Sequence, residues 1–338
     1  MRRVNWSILA VLVLAAASGG CGISKRVAAD RYDAGRFAMA GGNYAQALEE
    51  LAKAVEADPE LSVAHAAIGD IYRKQGNHEA AATSYERACE TDPYAFRPHY
   101  NLALTYQVLA EAARSSTRAA EFLCKAVHTY LRAVMLQPND FDTHLNLSAC
   151  FFQQGKFALA EKYCKAAIRI RPRQAAALCN LGIIYDALNR PHDAIRAYRG
   201  SLELDVHQPV LLVNLGGTYF RLKRLGDALN AFNLATRQDP NFASAWERTA
   251  ACLYHMKRYA DSLSAYDRAV RLDARSAASQ RGLGVACMTL YVKDSTRREF
   301  RDKGLAAWGR SLALDPNQPR LRQLLAKYSP KKPAAPSL

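Results

Sequence analysis

PVLLVNLGGTYFRLKRLGDALNAFNLATRQDPNF, residues 209–242, reads as two short helices, a turn between them and a closing Asp-Pro-Asn-Phe. Counted from Pro209, large residues stand at positions 4 and 7 (Leu212, Leu215), glycine at 8 (Gly216) and an aromatic at 11 (Tyr219). That spacing puts all four on one face of a helix. Ala228 at 20, Phe232 at 24 and Ala235 at 27 share one face of the next helix. Small residues at 8 and 20 let the two helices approach closely. Pro240 at 32 ends the second helix, because proline has no N–H for the ladder.

The skeleton recurs in register at a spacing of 34 residues. The blocks are 28–61, 62–95, 96–140, 141–174, 175–208, 209–242, 243–276 and 277–318, the third lengthened by 11 residues and the eighth by 8. This pattern resembles the tetratricopeptide repeat, a helix-turn-helix unit. The resemblance implies an all-α, right-handed superhelical solenoid of about eight repeats. Residues 319–328 are expected to cover the last apolar face, as a terminal repeat must. Residues 329–338, with three prolines and two lysines, read as a disordered tail. The fifth block departs from the pattern, with Val206 where proline is expected. Both insertions fall between paired helices and carry Ser-Thr-Arg (116–118 and 295–297). They read as lengthened hairpins, either posts for a partner or tolerated elongation of an exposed turn. Thr296 with Glu299 has capping-box spacing that would restart a helix.

The start of the chain is different in kind. Arg2 and Arg3 precede an apolar run of ten residues, 8–17, then Ser18-Gly19-Gly20 and Cys21. Ten residues rise only about 15 Å as a helix, half a bilayer core. A secretory signal over 1–20 is therefore expected. It resembles a bacterial lipoprotein leader, which implies cleavage before Cys21 and a lipid on Cys21. Ser18 departs from the usual leucine three residues before the cysteine. Cleavage after Ala17, giving a soluble periplasmic or secreted protein, and an uncleaved anchor are the alternatives. The resemblance, with Gly22 rather than aspartate after the cysteine, implies sorting to the outer membrane of a bacterial cell envelope.

The remaining seven cysteines (89, 124, 150, 164, 179, 252 and 287) fall inside helical patterns and form no CxxC pair. They read as small packing residues, with one disulfide among Cys150, Cys164 and Cys179 as the alternative in an oxidising compartment. Formal charge is +15; without Arg2 and Arg3 the balance is 44 Lys+Arg against 31 Asp+Glu. That excess is spread along the chain and favours an anionic partner or surface.

In tetratricopeptide arrays the first helices line the concave face at positions such as 2, 5, 6, 9, 12 and 13. Position 6 holds Asn101, Asn146, Asn180 and Asn214 in four consecutive repeats. An amide can donate to and accept from a peptide bond, so this ladder is the candidate peptide-binding site. The other reading is four solvated asparagines. With first helices roughly 10 Å apart, the ladder spans roughly nine or ten residues of extended chain. A similar ladder is known in the repeats of O-linked N-acetylglucosamine transferases; the resemblance covers the repeats alone, so transfer activity is not expected. The family's carboxylate clamp does not assemble, since Ala66, Leu104 and Ala149 occupy the positions it needs. His65, His99 and His144 each stand at position 4. Repeats offset by about 10 Å cannot share ligands about 2 Å from one zinc, so these rings read as packing. No hydrolase, metalloprotease or phosphate-loop motif occurs. The expectation is a non-enzymatic scaffold with no catalytic residue, metal, cofactor, small-molecule substrate or nucleic-acid partner. Its partners are extended segments of other proteins, with the membrane reached through Cys21. It resembles tetratricopeptide lipoproteins that assist assembly of envelope complexes. The alternative is a binder of an anionic polymer or membrane surface.

Overall fold

From the second repeat onward every first helix begins at position 1 of its frame: Ser62, Phe96, Phe141, Ala175, Pro209, Ala243 and Ala277. In this computed structural model the backbone is described for residues 6–329 and side chains for 22–329. The side chains of the signal segment and of the lipidation candidate Cys21, and the tail 330–338, lie outside what is described. Seventeen helices are described. The chain divides into two units, Met1–Pro172 and Arg173–Leu338.

The first unit holds α1 (Trp6–Ala40), α2 (Tyr44–Ala57), α3 (Ser62–Lys74), α4 (His78–Thr91), α5 (Phe96–Ala112), α6 (Ser116–Leu136), α7 (Phe141–Gln153) and α8 (Phe157–Ile170). The second holds α9 (Ala175–Ala187), α10 (Pro191–Leu204), α11 (Pro209–Arg221), α12 (Leu225–Gln238), α13 (Ala243–His255), α14 (Tyr259–Leu272), α15 (Ala277–Lys293), α16 (Arg298–Leu314) and α17 (Pro319–Tyr328). Odd-numbered helices through α15 are the first of each pair and even-numbered ones the second.

Five of the eight pairs close where glycine at position 8 meets the large residue at 24. A Cβ on Gly69 would stand 2.7 Å from Tyr85, and one on Gly182 or Gly216 would stand 2.5 Å from Tyr198 or Phe232. Tyr85, Tyr198 and Phe232 are fully buried in consequence. Most second helices stop at an aspartate at position 31, whose backbone turns extended. Its carboxylate accepts from the amide two residues on, as Asp92 does from Tyr94 at 3.0 Å and Asp239 from Asn241 at 2.9 Å. This turn of the side chain onto its own backbone persists in the fifth repeat, which lacks the proline. There Gln208 also caps the helix end, donating to the carbonyls of Ser201 at 3.2 Å and Asp205 at 2.6 Å.

The turn inside each pair is made differently in the two units. At position 15 the first unit has Gly42, Gly76 and Gly155 with φ of 77°, 76° and 72°. Asn43 and Asn77 follow and cap α2 and α4. The second unit puts Asn189, Lys223 and Lys257 into the same left-handed region, at φ of 55°, 60° and 62°. The next residue is arginine: Arg190, Arg224 and Arg258 each donate through Nε at 2.7 Å to the aspartate three residues on. Arg190 and Arg224 also lie over the rings of Tyr185 and Tyr219, at 4.5 and 4.7 Å.

The insertions are helix, not loop. α5 and α6 run to 17 and 21 residues and α15 and α16 to 17 each, against 13 or 14 in ordinary repeats. Ser115, not the Ser-Thr-Arg that follows it, caps α6 by accepting from the Arg118 amide. The expected capping box at Thr296 and Glu299 does not form. Thr296 donates to Asp294 at 2.6 Å, in the turn that ends α15, and Glu299 is held by Arg297 at 3.3 Å. Thr296 therefore sits one residue too early to cap α16, which starts at Arg298. α17 closes the second unit by seating Leu321 on Trp308 and Met288. Among the described residues no disulfide joins any of the seven cysteines, so the alternative bridge among Cys150, Cys164 and Cys179 is not made.

Candidate functional site

The asparagines of the first unit are turned toward the array. Asn101, half-buried on α5, donates through Nδ2 to Asp70 Oδ1 on α3 at 3.2 Å. Asp70 also accepts from Tyr85 at 2.6 Å and has Arg73 at 3.7 Å. Burial first, then the hydrogen bond to Asp70, pushes the Tyr85 phenol well above its usual value. Asn146 on α7 donates to the Tyr100 hydroxyl at 3.3 Å. A polar cavity of about 340 Å³ opens beside Asn101, lined by Arg73, Arg97 and Tyr100 and by the carboxylates of Asp70, Asp140 and Asp142.

The second unit arranges the same positions differently. Asn214 on α11 lines a cavity of about 350 Å³ whose floor is Ile183, Val213, Gly217, Phe220 and Ala251. These are positions 5, 9 and 12 of successive first helices, with Tyr198 and Phe232 of the second helices also lining the cavity. Asp186 at its edge accepts from Tyr198 at 3.0 Å and Thr218 at 2.6 Å and pairs with Arg221. Arg248 on α13, at position 6, is exposed on the same cavity. Asn180 on α9 is half-buried and does not line it.

Sequence reasoning missed the residues that join neighbouring repeats. At position 4, His65 and His144 place Nε2 at 2.9 and 2.8 Å from the carbonyls of Pro59 and Pro138, the position-32 prolines of the repeats before them. Trp246 donates to Pro240 at 3.0 Å, Gln280 to Ala274 at 3.3 Å and Arg322 to Pro316 at 2.9 Å. The histidines are thus latches as well as packing. His99 instead bonds Ala95 at 2.8 Å, and Arg132 takes the Pro93 carbonyl at 3.0 Å. Leu212 has no donor, and Gln238 takes the Val206 carbonyl at 2.7 Å. The signal was available as a run of nitrogen-bearing side chains at one register position.

Burial pushes the thiols of Cys89, Cys150 and Cys164 up to about 12 and that of Cys287 to about 11. These are neutral packing groups at pH 7, not activated nucleophiles. Among the described residues no group of three His, Cys, Asp or Glu could hold a metal ion. Among the described residues no helix is long and apolar enough to cross a membrane.

Family models for tetratricopeptide repeats match residues 69–109, 140–205, and 179–241 with 224–277. A protein O-mannosyl-transferase of Caenorhabditis elegans is 32% identical over 74 residues, 22% of this chain. The match spans only 11% of that relative's length. The photosystem I assembly protein Ycf3 of Acaryochloris marina is 30% identical over 116 residues, 32% of this chain and 70% of the relative. Among solved structures, a tetratricopeptide repeat protein from Parabacteroides merdae superposes with a TM-score of 0.58 at 13% identity, covering 79% of this chain and 98% of its own. Pseudomonas aeruginosa PilF gives 0.52 at 19% identity, covering 66% and 96%. With the repeat register, the paired helices and these matches together, the chain belongs to the tetratricopeptide repeat family, whose arrays are protein–protein interaction scaffolds.

Proposed function

We propose that this protein is an exported, lipid-anchored scaffold that holds extended segments of other proteins and assists the assembly of a bacterial envelope complex. The observation that carries the binding part is the cavity of the second unit, where Asn214 stands over an apolar floor built from positions 5, 9 and 12 of successive first helices. An amide beside an apolar cleft suits a peptide, which offers backbone N–H and C=O groups and side chains to bury. Asn101 and Asn146 contribute less to such binding, because their donors already serve Asp70 and Tyr100. The similarity to a protein named for photosystem I assembly supports an assembly role. Export and anchoring rest on the leader sequence and Cys21, and outer-membrane residence follows from them.

Crosslinking pull-downs from envelope extracts test the reading. Wild type is compared with Asn180→Ala/Asn214→Ala and with Asn101→Ala/Asn146→Ala. The first variant is expected to lose partners that the second retains. Equal recovery by all three defeats the groove reading. Retention that collapses between low and moderate salt favours a polyanion or membrane surface instead. Mass spectrometry of the mature N-terminus decides the anchor: a lipid-modified Cys21 supports it, and an unmodified start at Ser18 excludes it.

A further inference from the structure

The cavity of the second unit is lopsided in charge. Its one carboxylate, Asp186, is saturated by Tyr198, Thr218 and Arg221. The carboxylate next to Arg248 on the same helix, Glu247, is taken by Ser276 and Ser279 at 3.1 and 2.6 Å. Arg248 is left exposed, with no carboxylate partner among the described residues. Between it and Asn214 lies the apolar floor, and Gly217 leaves a gap there: a Cβ at that residue would meet nothing within 4 Å.

A guanidinium without a counter-ion beside an apolar cleft favours a carboxylate whose neighbour in the chain is apolar. The guanidinium fork matches a carboxylate in two parallel hydrogen bonds. A basic segment would meet Arg248 with like charge, and a bare polyanion would leave the floor wet. We propose that this groove takes an extended acidic–apolar peptide segment. A glutamate or aspartate side chain lies on Arg248, the adjacent apolar side chain fills the space over Gly217 against Val213 and Phe220, and Asn214 holds the peptide bond. The proposal rests on the groove reading above and adds the chemistry of what the groove selects.

Fluorescence polarisation on the full chain tests it with three labelled octapeptides. One is built of leucine and glutamate, the second has glutamine for glutamate, and the third has lysine. The glutamate peptide is expected to bind, the glutamine peptide to bind about tenfold more weakly, the loss of one charge-assisted bond, and the lysine peptide not at all. Arg248→Glu is expected to reverse the order, binding the lysine peptide in preference to the glutamate one; a gain of binding cannot come from misfolding. Asn214→Ala is expected to weaken the glutamate and glutamine peptides alike. Equal affinity for the glutamate and glutamine peptides overturns the acidic preference while leaving the groove reading intact if Asn214→Ala still weakens both. No binding of any peptide, or no effect of either substitution, overturns both. Inorganic polyphosphate competing at Arg248 as well as the glutamate peptide does marks a bare anion site and overturns the peptide assignment.

Discussion

The Nε2 atom of His65 lies 2.9 Å from the carbonyl oxygen of Pro59, the residue whose ring ends the previous repeat. Proline cannot donate to the helix ladder, and its carbonyl points past the helix end. A donor at position 4 of the next repeat collects it, so the residue that stops one unit is the residue that docks the following one. His144 and Trp246 repeat the contact on Pro138 and Pro240.

Removing the donor while keeping an aromatic side chain tests this bond, with some packing lost as well where indole becomes phenyl. Trp246→Phe and His144→Phe are each expected to lower unfolding free energy by about 1 kcal/mol, the net worth of one hydrogen bond. Leu212→His is expected to gain little, because Gln238 already occupies the Val206 carbonyl. Urea denaturation measures all three. Phenylalanine variants with unchanged midpoints would mean the contact is geometric only.

Lys223 and Lys257 hold φ of 60° and 62°, a region where an L side chain crowds its own backbone. The corresponding residues of the first unit are glycines. Lys223→Gly and Lys257→Gly are each expected to stabilise the second unit by about 0.5–1 kcal/mol, relief of the left-handed strain less the greater chain entropy of glycine. Thermal unfolding of single and double variants checks this. Destabilisation would show that the lysine side chains make contacts worth more than the strain.

The repeat frame was legible because packing repeats: position 8 is small where position 24 is large, as at Gly69 with Tyr85 and Gly216 with Phe232. First helices from the second repeat onward start at position 1 of the frame, whereas α1 begins at Trp6. The insertions were not legible in detail, since added residues prolong α6 as readily as they lengthen a turn. Thr296 looked like a cap because spacing alone cannot tell which residue ends the preceding helix; Asp294 claims its hydroxyl first. At the candidate site, position 6 led to Asn101 and Asn214, beside cavities of opposite character. What each amide does depends on its neighbours at positions 9 and 12, Asp70 for one and an apolar floor with Phe220 for the other. Asp70 lies one repeat before Asn101, and Ile183 and Ala251 lie in the repeats on either side of Asn214, so no pattern within one repeat announces the whole setting.

Gly216 and Gly217 are adjacent in sequence and opposite in role. A methyl on Gly216 would stand 2.5 Å from the Phe232 ring, a core residue with nowhere to move, whereas one on Gly217 meets open space. Gly216→Ala is expected to cost about 1–3 kcal/mol by overpacking. Gly217→Ala is expected to stabilise α11 by up to about 1 kcal/mol through helix propensity, while narrowing the groove and weakening peptide binding. Chemical denaturation together with the polarisation assay separates the two. Similar stabilities for both variants would contradict the helix contact.

Tyr85, Tyr130 and Tyr198 are fully buried, and burial raises all three phenols above their usual value near 10; Tyr266 is pushed up to about 12. The unfolded chain loses these protons at the ordinary value, so above about pH 10 it binds fewer protons than the folded chain. The stabilisation is fully present below pH 10 and is lost as pH rises toward the folded values. Each buried tyrosine is expected to steepen the alkaline decline by about 1.4 kcal/mol per pH unit. Tyr130→Phe removes one such group, at the cost of its 3.2 Å bond to Gln107. The variant is expected to be less stable at pH 8 and to lose stability less steeply above pH 10. Urea midpoints across pH 8–12, followed alongside phenolate absorbance, give both slopes. A wild-type slope equal to that of Tyr130→Phe would mean that Tyr130 ionises in the folded chain as it does in the unfolded one, and its burial would then have no part in alkaline stability.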